Sequence, residues 1–252
     1  MSVKYNIYPS LLDSYTNYLL TEETWDKYWG NSENPSKTLE QFEEEQFNKF
    51  IDKINRVPVN WEDSEKMDKG TAFNEIVDCL INGEDSDSMK IEYGDNIKAE
   101  FNKRTFSFPQ KVCKEFADYF KGAQNQLRVS AILKTQYGDV RVYGVIDELM
   151  PDCVHDIKTT GEYEAWKYKN YAQRLVYPYC LNENGNNVNK FEFNVLVIKD
   201  RKFGTTYESL TEFYTYNHET DSQELRERVE EFIEFIETNR HLITNKKLFG
   251  YE

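Results

Sequence analysis

Three charged side chains within residues 144–160 (GVIDELMPDCVHDIKTT) have the types and spacing of a divalent-metal site. Asp147 falls near the end of one predicted strand, and Asp156 and Lys158 fall on the next. Because side chains alternate along a strand, Asp156 and Lys158 should project from one face while Ile157 points to the other. Carboxylate oxygens suit Mg2+ or Mn2+, and a lysine beside the ion could orient or deprotonate a water molecule. This is the equipment needed to hydrolyse a phosphodiester.

The surroundings of this triplet distinguish it from a second one. An acid-x-Lys pattern arises by chance in so charged a chain, and Asp200 and Lys202 form another. That second triplet lies at a turn, with no helix after it. The Asp156 triplet follows a hairpin signal, QYGD, and it precedes a predicted helix. This helix carries Gln173 and Tyr177 four residues apart, on one face.

The elements that must position these groups alternate between helix and strand, which predicts one mixed α/β domain. The predicted strands are LRVSAILKT, DVRVYGVIDEL, VHDIKT, KFEFNVLVIKD and TTYESLTEFYTY. The predicted helices are LLDSYTNYLL, TLEQFEEEQFNKFIDKI, TAFNEIVDCLI, KVCKEFADYF, residues 162–181 and SQELRERVEEFIEFIETN. The domain would comprise a helical part over 1–68, a core over about 69–216 and a C-terminal helix over about 221–239.

Several residues predict where the helices begin and bend. Ser10 is expected to cap the first helix, with Asp13 as its capping-box partner. Gly70 is expected to precede the third helix. Pro178 should kink or terminate the helix over 162–181, because proline lacks a backbone N–H.

The charge of the chain limits its partners. It carries 45 acidic and 31 basic residues, a net charge of −14, which disfavours a polyanionic partner. Residues 98–134 depart from this average, with eight basic and three acidic residues and a net charge of +5. We therefore expect Lys103, Arg104 and Lys111 in this span to follow a nucleic-acid backbone.

The spacing of the cysteines and histidines argues against zinc and iron–sulfur sites. The four cysteines include no close pair such as C-x2-C, and the three histidines are scattered. Four reduced thiols are expected instead.

No apolar stretch approaches the ~18 residues of a membrane span, and the N-terminus lacks the pattern of a secretory signal. We expect a cytoplasmic protein without a membrane partner. It has no P-loop motif, so it lacks a helicase motor.

Four motifs occur in a recognisable order along the chain. YPSLLDSY comes first, KGTAFNEIVD follows, and D-x8-D-x-K then runs from Asp147 to Lys158. The Q-x3-Y pair of Gln173 and Tyr177 comes last. This order resembles the RecB-like branch of the PD-(D/E)XK nuclease superfamily, which includes phage recombination exonucleases and helicase-associated nuclease domains. The resemblance covers about residues 69–200 and the first motif. It implies a restriction-endonuclease-like core, a mixed central β-sheet flanked by helices, with an N-terminal helical elaboration.

The resemblance also implies roles for individual residues. The implied metal ligands are Asp147, Asp156 and the Ile157 carbonyl oxygen, and the implied catalytic lysine is Lys158. Gln173 and Tyr177 match the helix that lines the active site and contacts the nucleic-acid backbone. The implied cofactor is Mg2+ or Mn2+, with no iron–sulfur cluster.

The chain departs from the family pattern at one ligand position. RecB-like members usually carry a metal-binding histidine four residues after the motif glycine, and here that residue is Asn74. Glu75 is the neighbouring carboxylate and the alternative ligand. Consecutive helical residues point ~100° apart, so both cannot occupy one place. The register favours Asn74, whereas the preference of a hard cation for carboxylates slightly favours Glu75.

These features favour a metal-dependent DNA exonuclease acting on linear ends in phage-type or bacterial recombination, replication or repair. Family members often form rings, so a homo-oligomer and a single-strand annealing or recombination partner follow from the resemblance. The alternative is a catalytically weak or inactive nucleic-acid-binding or assembly protein on the same fold. Asn74 and the negative net charge motivate that alternative. A restriction-type endonuclease lacks support, because no separate target-recognition domain is visible.

Overall fold

The computed structural model describes residues 2–202 and 204–250. Its strands are β1 (Val3–Ile7), β2 (Lys90–Glu92), β3 (Asn96–Phe101), β4 (Arg104–Pro109), β5 (Gln124–Thr135), β6 (Gly138–Leu149), β7 (Cys153–Thr160), β8 (Lys190–Arg201) and β9 (Gly204–Thr215). Its helices are α1 (Pro9–Leu19), α2 (Thr21–Trp29), α3 (Leu39–Ile54), α4 (Glu65–Asn82), α5 (Gln110–Tyr119), α6 (Gln173–Glu183) and α7 (His218–Thr238). Within these ranges, no helix is long and apolar enough to cross a membrane.

Six strands form a mixed central sheet. Its order is β1-β6-β7-β8-β9, with β5 paired to the other edge of β6. β6 runs antiparallel to β5 and β7, whereas β1 is parallel to β6 and β7 is parallel to β8. The parallel step from β7 to β8 requires a crossover connection, which contains α6. The strands β2, β3 and β4 form a separate antiparallel sheet.

Both faces of the central sheet are buried, and each has its own core. Phe193 and Val195 of β8 point into the first core, to which α1, α3, α6 and α7 contribute. Leu196 and Ile198 of the same strand belong to the second core, with α4, α5 and the small sheet. The molecule is therefore α/β with a mixed central sheet flanked by helices, which confirms that part of the predicted fold class.

The N-terminal part is not wholly helical, contrary to the prediction. Residues Val3–Ile7 form β1, which pairs in parallel with β6 near the end of the β5–β6 hairpin. The helix α1 then begins at Pro9, and Tyr8 occupies the N-cap position without a side-chain cap. Ser10 therefore lies inside the first turn and is not the cap. Proline suits the first helical position because its fixed φ is already helical and its missing N–H needs no partner there.

The start of α4 also differs from the prediction. The helix begins at Glu65, so Gly70 lies inside it and does not precede it. A Cβ on Gly70 would lie 3.0 Å from Oγ1 of Thr159 on β7. The absence of a side chain there lets α4 pack closely against the strand that carries Asp156.

The helix predicted over 162–181 is shorter in the structure and begins at Gln173. The residues before it form turns, and Trp166 has a φ of 64°, the left-handed conformation that interrupts a helix. Pro178 lies inside α6 without ending it. Gln173 is consequently the first residue of the helix, from which it reaches Asp156 in the middle of β7.

Candidate active site

The two strands that carry the acidic residues separate soon after their connecting turn. β6 and β7 pair at only two positions beside that turn. Asp147 is the first β6 residue beyond these pairs, and its Oδ2 accepts a hydrogen bond from the Ile157 N–H at 2.8 Å. A carboxylate thus takes the place of an interstrand hydrogen bond and is held in the gap between the strands.

Asp156 and Lys158 project from the same face of β7, as strand alternation predicts. Lys158 Nζ lies 2.6 Å from Asp156 Oδ2, and Gln173 Nε2 donates to Asp156 Oδ1. Asp156 is only 1% exposed, whereas the Lys158 side chain is 21% exposed. Lys158 Nζ also lies 5.7 and 5.6 Å from the ring centres of Tyr171 and Phe193, within range of a cation–π attraction. The ammonium group is therefore fixed beside the buried carboxylate.

The cluster contains two carboxylates but only one positively charged side chain. Burial raises the pKa of Asp147 to about 8, and the charge of Asp156 adds to this effect. Burial also raises the pKa of Asp156, against the opposing attraction of Lys158. Burial by itself lowers the pKa of Lys158, but the two carboxylates outweigh it and the net direction is upward. The lysine is thus kept charged while one carboxylate tends to hold a proton.

The residues in the gap fit a hard divalent cation. Asn74 Nδ2 lies 3.4 Å from Asp147 Oδ2, and the amide oxygen of Asn74 is buried without a hydrogen-bond partner. The amide oxygen of Gln173 is likewise buried and without a partner. Carboxylate and amide oxygens are the donors that Mg2+ and Mn2+ prefer, and an added cation would relieve the raised pKa values.

Of the two candidate ligands on α4, Asn74 lies beside Asp147. Glu75 instead accepts a hydrogen bond from the hydroxyl of Ser86, in the loop that follows α4. The two side chains point in different directions, as their consecutive helical positions require. The structure therefore favours Asn74 as the residue that faces the acidic gap.

Tyr177 lies beneath the site. Its side chain is 5% exposed, and burial raises its pKa well above the ordinary value. The ring packs directly on Gly144 of β6, where a Cβ would lie 2.5 Å from Tyr177 Cε1. Tyr177 thus supports α6 under Gln173, and only Gln173 of this pair is partly exposed.

Asp13 of α1 positions the start of α6, a role that was not predicted from its sequence context. Its Oδ1 accepts a hydrogen bond at 2.6 Å from the N–H of Ala172, the N-cap residue of α6. Asp13 therefore caps a distant helix, not its own, and it fixes the backbone next to Gln173. Burial raises its pKa to about 6. Its place in the YPSLLDSY motif is a signal that could have identified it.

A second carboxylate pair lies next to the site and was also missed. Glu148 is fully buried, Asp78 is 8% exposed, and Asp78 Oδ2 accepts from Gln126 Nε2 at 2.9 Å. Burial raises the pKa of both groups, that of Glu148 to about 9, and each carboxyl has at least one buried oxygen without a hydrogen-bond partner. Asp78 follows Asn74 by one helical turn, so the pair extends the acidic gap along α4.

The basic residues predicted to contact nucleic acid are dispersed. Lys103 lies at the turn between β3 and β4, and Lys111 lies on α5, where it is 3.8 Å from Glu115. Arg104 is bound to Asp68 of α4 and stacks 3.8 Å from the Trp61 ring. The contacts of these three side chains do not include the acidic gap.

An open groove of about 910 Å³ starts beside the end of β7, at Thr159 and Thr160. Its other wall is the first turn of α4 and the end of β8. The basic residues that line it are Lys66, Lys69, Lys167, Lys199 and Arg201, and the acidic ones are Glu65, Glu162 and Asp200. The groove is thus an open surface with a basic excess, and its lining includes Thr159, which follows Lys158 in the chain, but no residue of the acidic gap.

Comparisons with known proteins add little to this geometry. No protein-family model matches the chain, and no curated protein matches it. Among solved structures, the chain is similar to one described as the crystal structure of SSO0001, with a TM-score of 0.32 and 10% sequence identity. The match covers 47% of this chain and 55% of that chain, so it spans about half the length of the neighbour. A likeness of this extent supports no conclusion about fold or function.

Proposed function

We propose that the protein is a metal-dependent nuclease that hydrolyses phosphodiester bonds in DNA. The observation that carries this proposal is the convergence of Asp147, Asp156 and Lys158 in the gap between β6 and β7. The buried carboxylate of Asp156 and the partly exposed one of Asp147 share a single lysine there, and that imbalance suits a divalent cation. The fold we propose for the core is the restriction-endonuclease-like one. The antiparallel β5-β6-β7 unit, the parallel step to β8 and the helices on both faces support it.

Asp147 and Asp156 would hold the Mg2+ or Mn2+ ion, with the amide oxygen of Asn74 and the carbonyl of Ile157 as further donors. The ion would polarise the phosphate and lower the pKa of a bound water. Gln173 holds the second oxygen of Asp156 and so fixes the orientation of that carboxylate.

Lys158 has a role of its own. The two carboxylates raise its pKa, which favours the charged ammonium over the neutral amine that a base requires. It can instead stabilise the negative charge that develops on the phosphate in the transition state. Stabilisation of this charge therefore suits Lys158 better than deprotonation of water does.

The groove beside β7 supports an exonuclease acting on linear ends. Its lining includes Thr159, the residue that follows Lys158 on β7, and its basic residues can follow a phosphate backbone. An open groove of this kind allows a DNA strand to enter by its end.

Cleavage of end-labelled linear DNA and of closed circular DNA tests the proposal, with Mg2+, Mn2+ or EDTA. We expect linear DNA to be degraded only with a divalent ion and circular DNA to resist. Asp156→Asn and Lys158→Ala should each reduce the rate by ~10²-fold or more, because each removes a charge at the reacting centre. Asp26→Asn, an exposed carboxylate of α2 outside the groove, is the matched control and should keep its activity.

Circular dichroism and the melting temperature of each variant would separate lost activity from lost folding. Undiminished cleavage in both variants, or cleavage in EDTA, would contradict the assignment. DNA binding without cleavage in either metal would favour the non-catalytic alternative on the same fold.

A further inference from the structure

A cluster of different chemistry lies on the opposite face of β7 from Asp156. Cys153 and His155 alternate with Asp156 along the strand and point toward α5. His155 is directly paired with Glu192 across the β7–β8 ladder. The thiol, an imidazole nitrogen and a carboxylate oxygen of these residues all lie within 4.8 Å of one another. The C-x-H spacing escaped the sequence analysis because the third residue comes from the next strand.

One pair of side chains in the cluster has the spacing of two zinc ligands. His155 Nδ1 lies 3.1 Å from Glu192 Oε2, and the same nitrogen lies 3.2 Å from Asn194 Oδ1. In a tetrahedral site with metal–ligand bonds of about 2.0–2.1 Å, two such atoms are ~3.3 Å apart. Cys153 is 5% exposed and His155 4%, while the Glu192 side chain is 15% exposed. The three groups therefore sit in a shielded position that remains open on the glutamate side.

Neighbouring groups hold the glutamate in place. The Tyr119 hydroxyl donates to Glu192 Oε2 at 2.8 Å, and Asn194 Nδ2 donates to the same oxygen at 3.3 Å. Partners of this kind orient ligating carboxylates in metal sites. Tyr119 and Asn194 also line a cavity of about 160 Å³ between α5 and the β8–β9 hairpin, which gives a route of entry.

We propose that Cys153, His155 and Glu192 bind a single Zn2+ ion. A thiolate and an imidazole select zinc over Mg2+, which prefers oxygen donors only. The three side chains would leave the fourth coordination position to water from the adjoining cavity. Because β7 carries this cluster on one face and Asp156 on the other, the zinc ion would fix the strand from behind without taking part in hydrolysis. The proposal does not depend on the nuclease assignment.

Titration of the metal-free full-length protein with Co2+ tests the site. Cobalt replaces zinc in such sites and gives a thiolate-to-cobalt charge-transfer band when a cysteine is a ligand. We expect this band to saturate at one equivalent in the native protein and to disappear in Cys153→Ser. Cys79→Ser, a comparably buried thiol on α4, should retain the band. Asp156→Asn should also retain it, which separates this ion from one bound in the acidic gap.

A variant that keeps all three ligands guards against a failure of Cys153→Ser to fold. Tyr119→Phe removes only the hydrogen bond to Glu192, and we expect zinc affinity to fall ~10–100-fold, measured by competition with a chromophoric chelator. Absence of the band in the native protein, or its persistence in folded Cys153→Ser, would overturn the proposal. The cluster would then be an ion pair of His155 and Glu192 with a neighbouring thiol.

Discussion

At the residue scale, the Asn74 side chain on α4 lies beside the Asp147 carboxylate on β6. The amide of Asn74 lies within 3.4 Å of the carboxylate and has a buried oxygen without a partner. An amide can turn over and present that oxygen to a cation. The adjacent Glu75 is bonded to Ser86 and would have to break that bond to do the same.

We therefore expect Asn74→Ala to weaken Mn2+ binding about tenfold, on the scale of a lost supporting contact in a metal site. Asn74→His should tighten Mn2+ relative to Mg2+, because imidazole suits the softer ion. Glu75→Gln should leave both affinities almost unchanged. Calorimetric titration of the three variants measures these constants directly.

The opposite order would identify Glu75 as the ligand and show that its bond to Ser86 is exchanged for the metal. Equal affinities in all three variants would mean that neither side chain reaches the ion. This result would favour the non-catalytic alternative.

Asp13 makes stability depend on pH in an unusual direction. Its folded-state pKa of about 6 exceeds its ordinary value of 3.8, because burial disfavours the charged form. Between these values the folded state binds more protons than the unfolded state. The contribution of Asp13 to the free energy of unfolding therefore falls as pH rises from about 4 to 6, and it stays low above that range.

We expect Asp13→Asn to make this decline shallower, since Asp147 and Glu148, whose pKa values are also raised, contribute in the same direction, and to raise stability at pH 7 by up to about 3 kcal/mol, the equivalent of a two-unit pKa shift. The amide oxygen can still accept from Ala172, so α6 should keep its cap. Denaturant unfolding at several pH values provides the measurement, with Asp26→Asn on the exposed side of α2 as the control. The same slope in Asp13→Asn and in the native protein would show that another group titrates in this range.

At the scale of secondary-structure elements, two contacts about one turn apart hold the first part of α6 in place. Asp13 fixes its first turn through Ala172, and Tyr177 rests on Gly144 of β6 one turn later. Gln173 lies between these two contacts and reaches Asp156. The position of the central sheet relative to α6 is therefore set by packing and by a long-range cap.

Gly144→Ala should disturb this arrangement, because the new Cβ would lie 2.5 Å from Cε1 of Tyr177. Overpacking of this kind typically costs about 1–3 kcal/mol. Since Gln173 is one turn away on the same helix, we also expect cleavage to fall more than stability at the assay temperature explains. Chemical denaturation and the DNA cleavage rate measure the two effects.

Gly94→Ala is the matched control, because its Cβ would make only an ordinary 3.5 Å contact with Asn96. The added variant Tyr177→Leu in the Gly144→Ala background should recover part of the lost stability. Unchanged stability in Gly144→Ala would show that the ring moves aside at no cost.

The same elements show what could be predicted from the sequence. The alternation of Asp156 and Lys158 on β7 is a local, two-residue pattern, and the structure confirms that both project from one face. The hairpin of β5 and β6 was likewise visible in QYGD between two apolar runs. Features of this kind depend on neighbours in the chain, so periodicity and turn chemistry are sufficient.

Features that depend on distant partners could not be predicted. β1 is a strand because it pairs with β6, more than a hundred residues away, and its five residues alone do not specify that partner. Asp13 caps a helix 159 positions later, so a local capping box was the wrong interpretation. The pairing of His155 with Glu192 requires the register of two parallel strands. In each case the decisive contact is absent from the local sequence.

At the scale of the whole molecule, the distribution of charge decides where a polyanion can bind. A net charge of −14 repels DNA from most of the surface, so binding requires a local basic excess. Two regions compete for this role. One is the basic span of residues 98–134, which the fold disperses over the small sheet, α5 and β5. The other is the groove beside β7, to which α4, β8 and the segment before α6 contribute.

The groove lies closer to the proposed chemistry, and substitution of two matched sets of lysines can separate the regions. We expect Lys66→Gln, Lys69→Gln and Lys199→Gln together to weaken DNA binding and to reduce the slope of log K against log salt by ~0.9 for each lost phosphate contact. Lys103→Gln, Lys111→Gln and Lys114→Gln together change the net charge equally and should leave the slope unchanged.

Fluorescence anisotropy over a range of salt concentrations, in an Asp156→Asn background that prevents cleavage, gives both slopes. An effect of the second set alone would place the DNA on the predicted basic span, and an effect of neither would place it away from both. The equal charge change makes the comparison decisive, because a general electrostatic effect would shift both sets alike, whereas direct phosphate contacts would alter only the set that lies on the path.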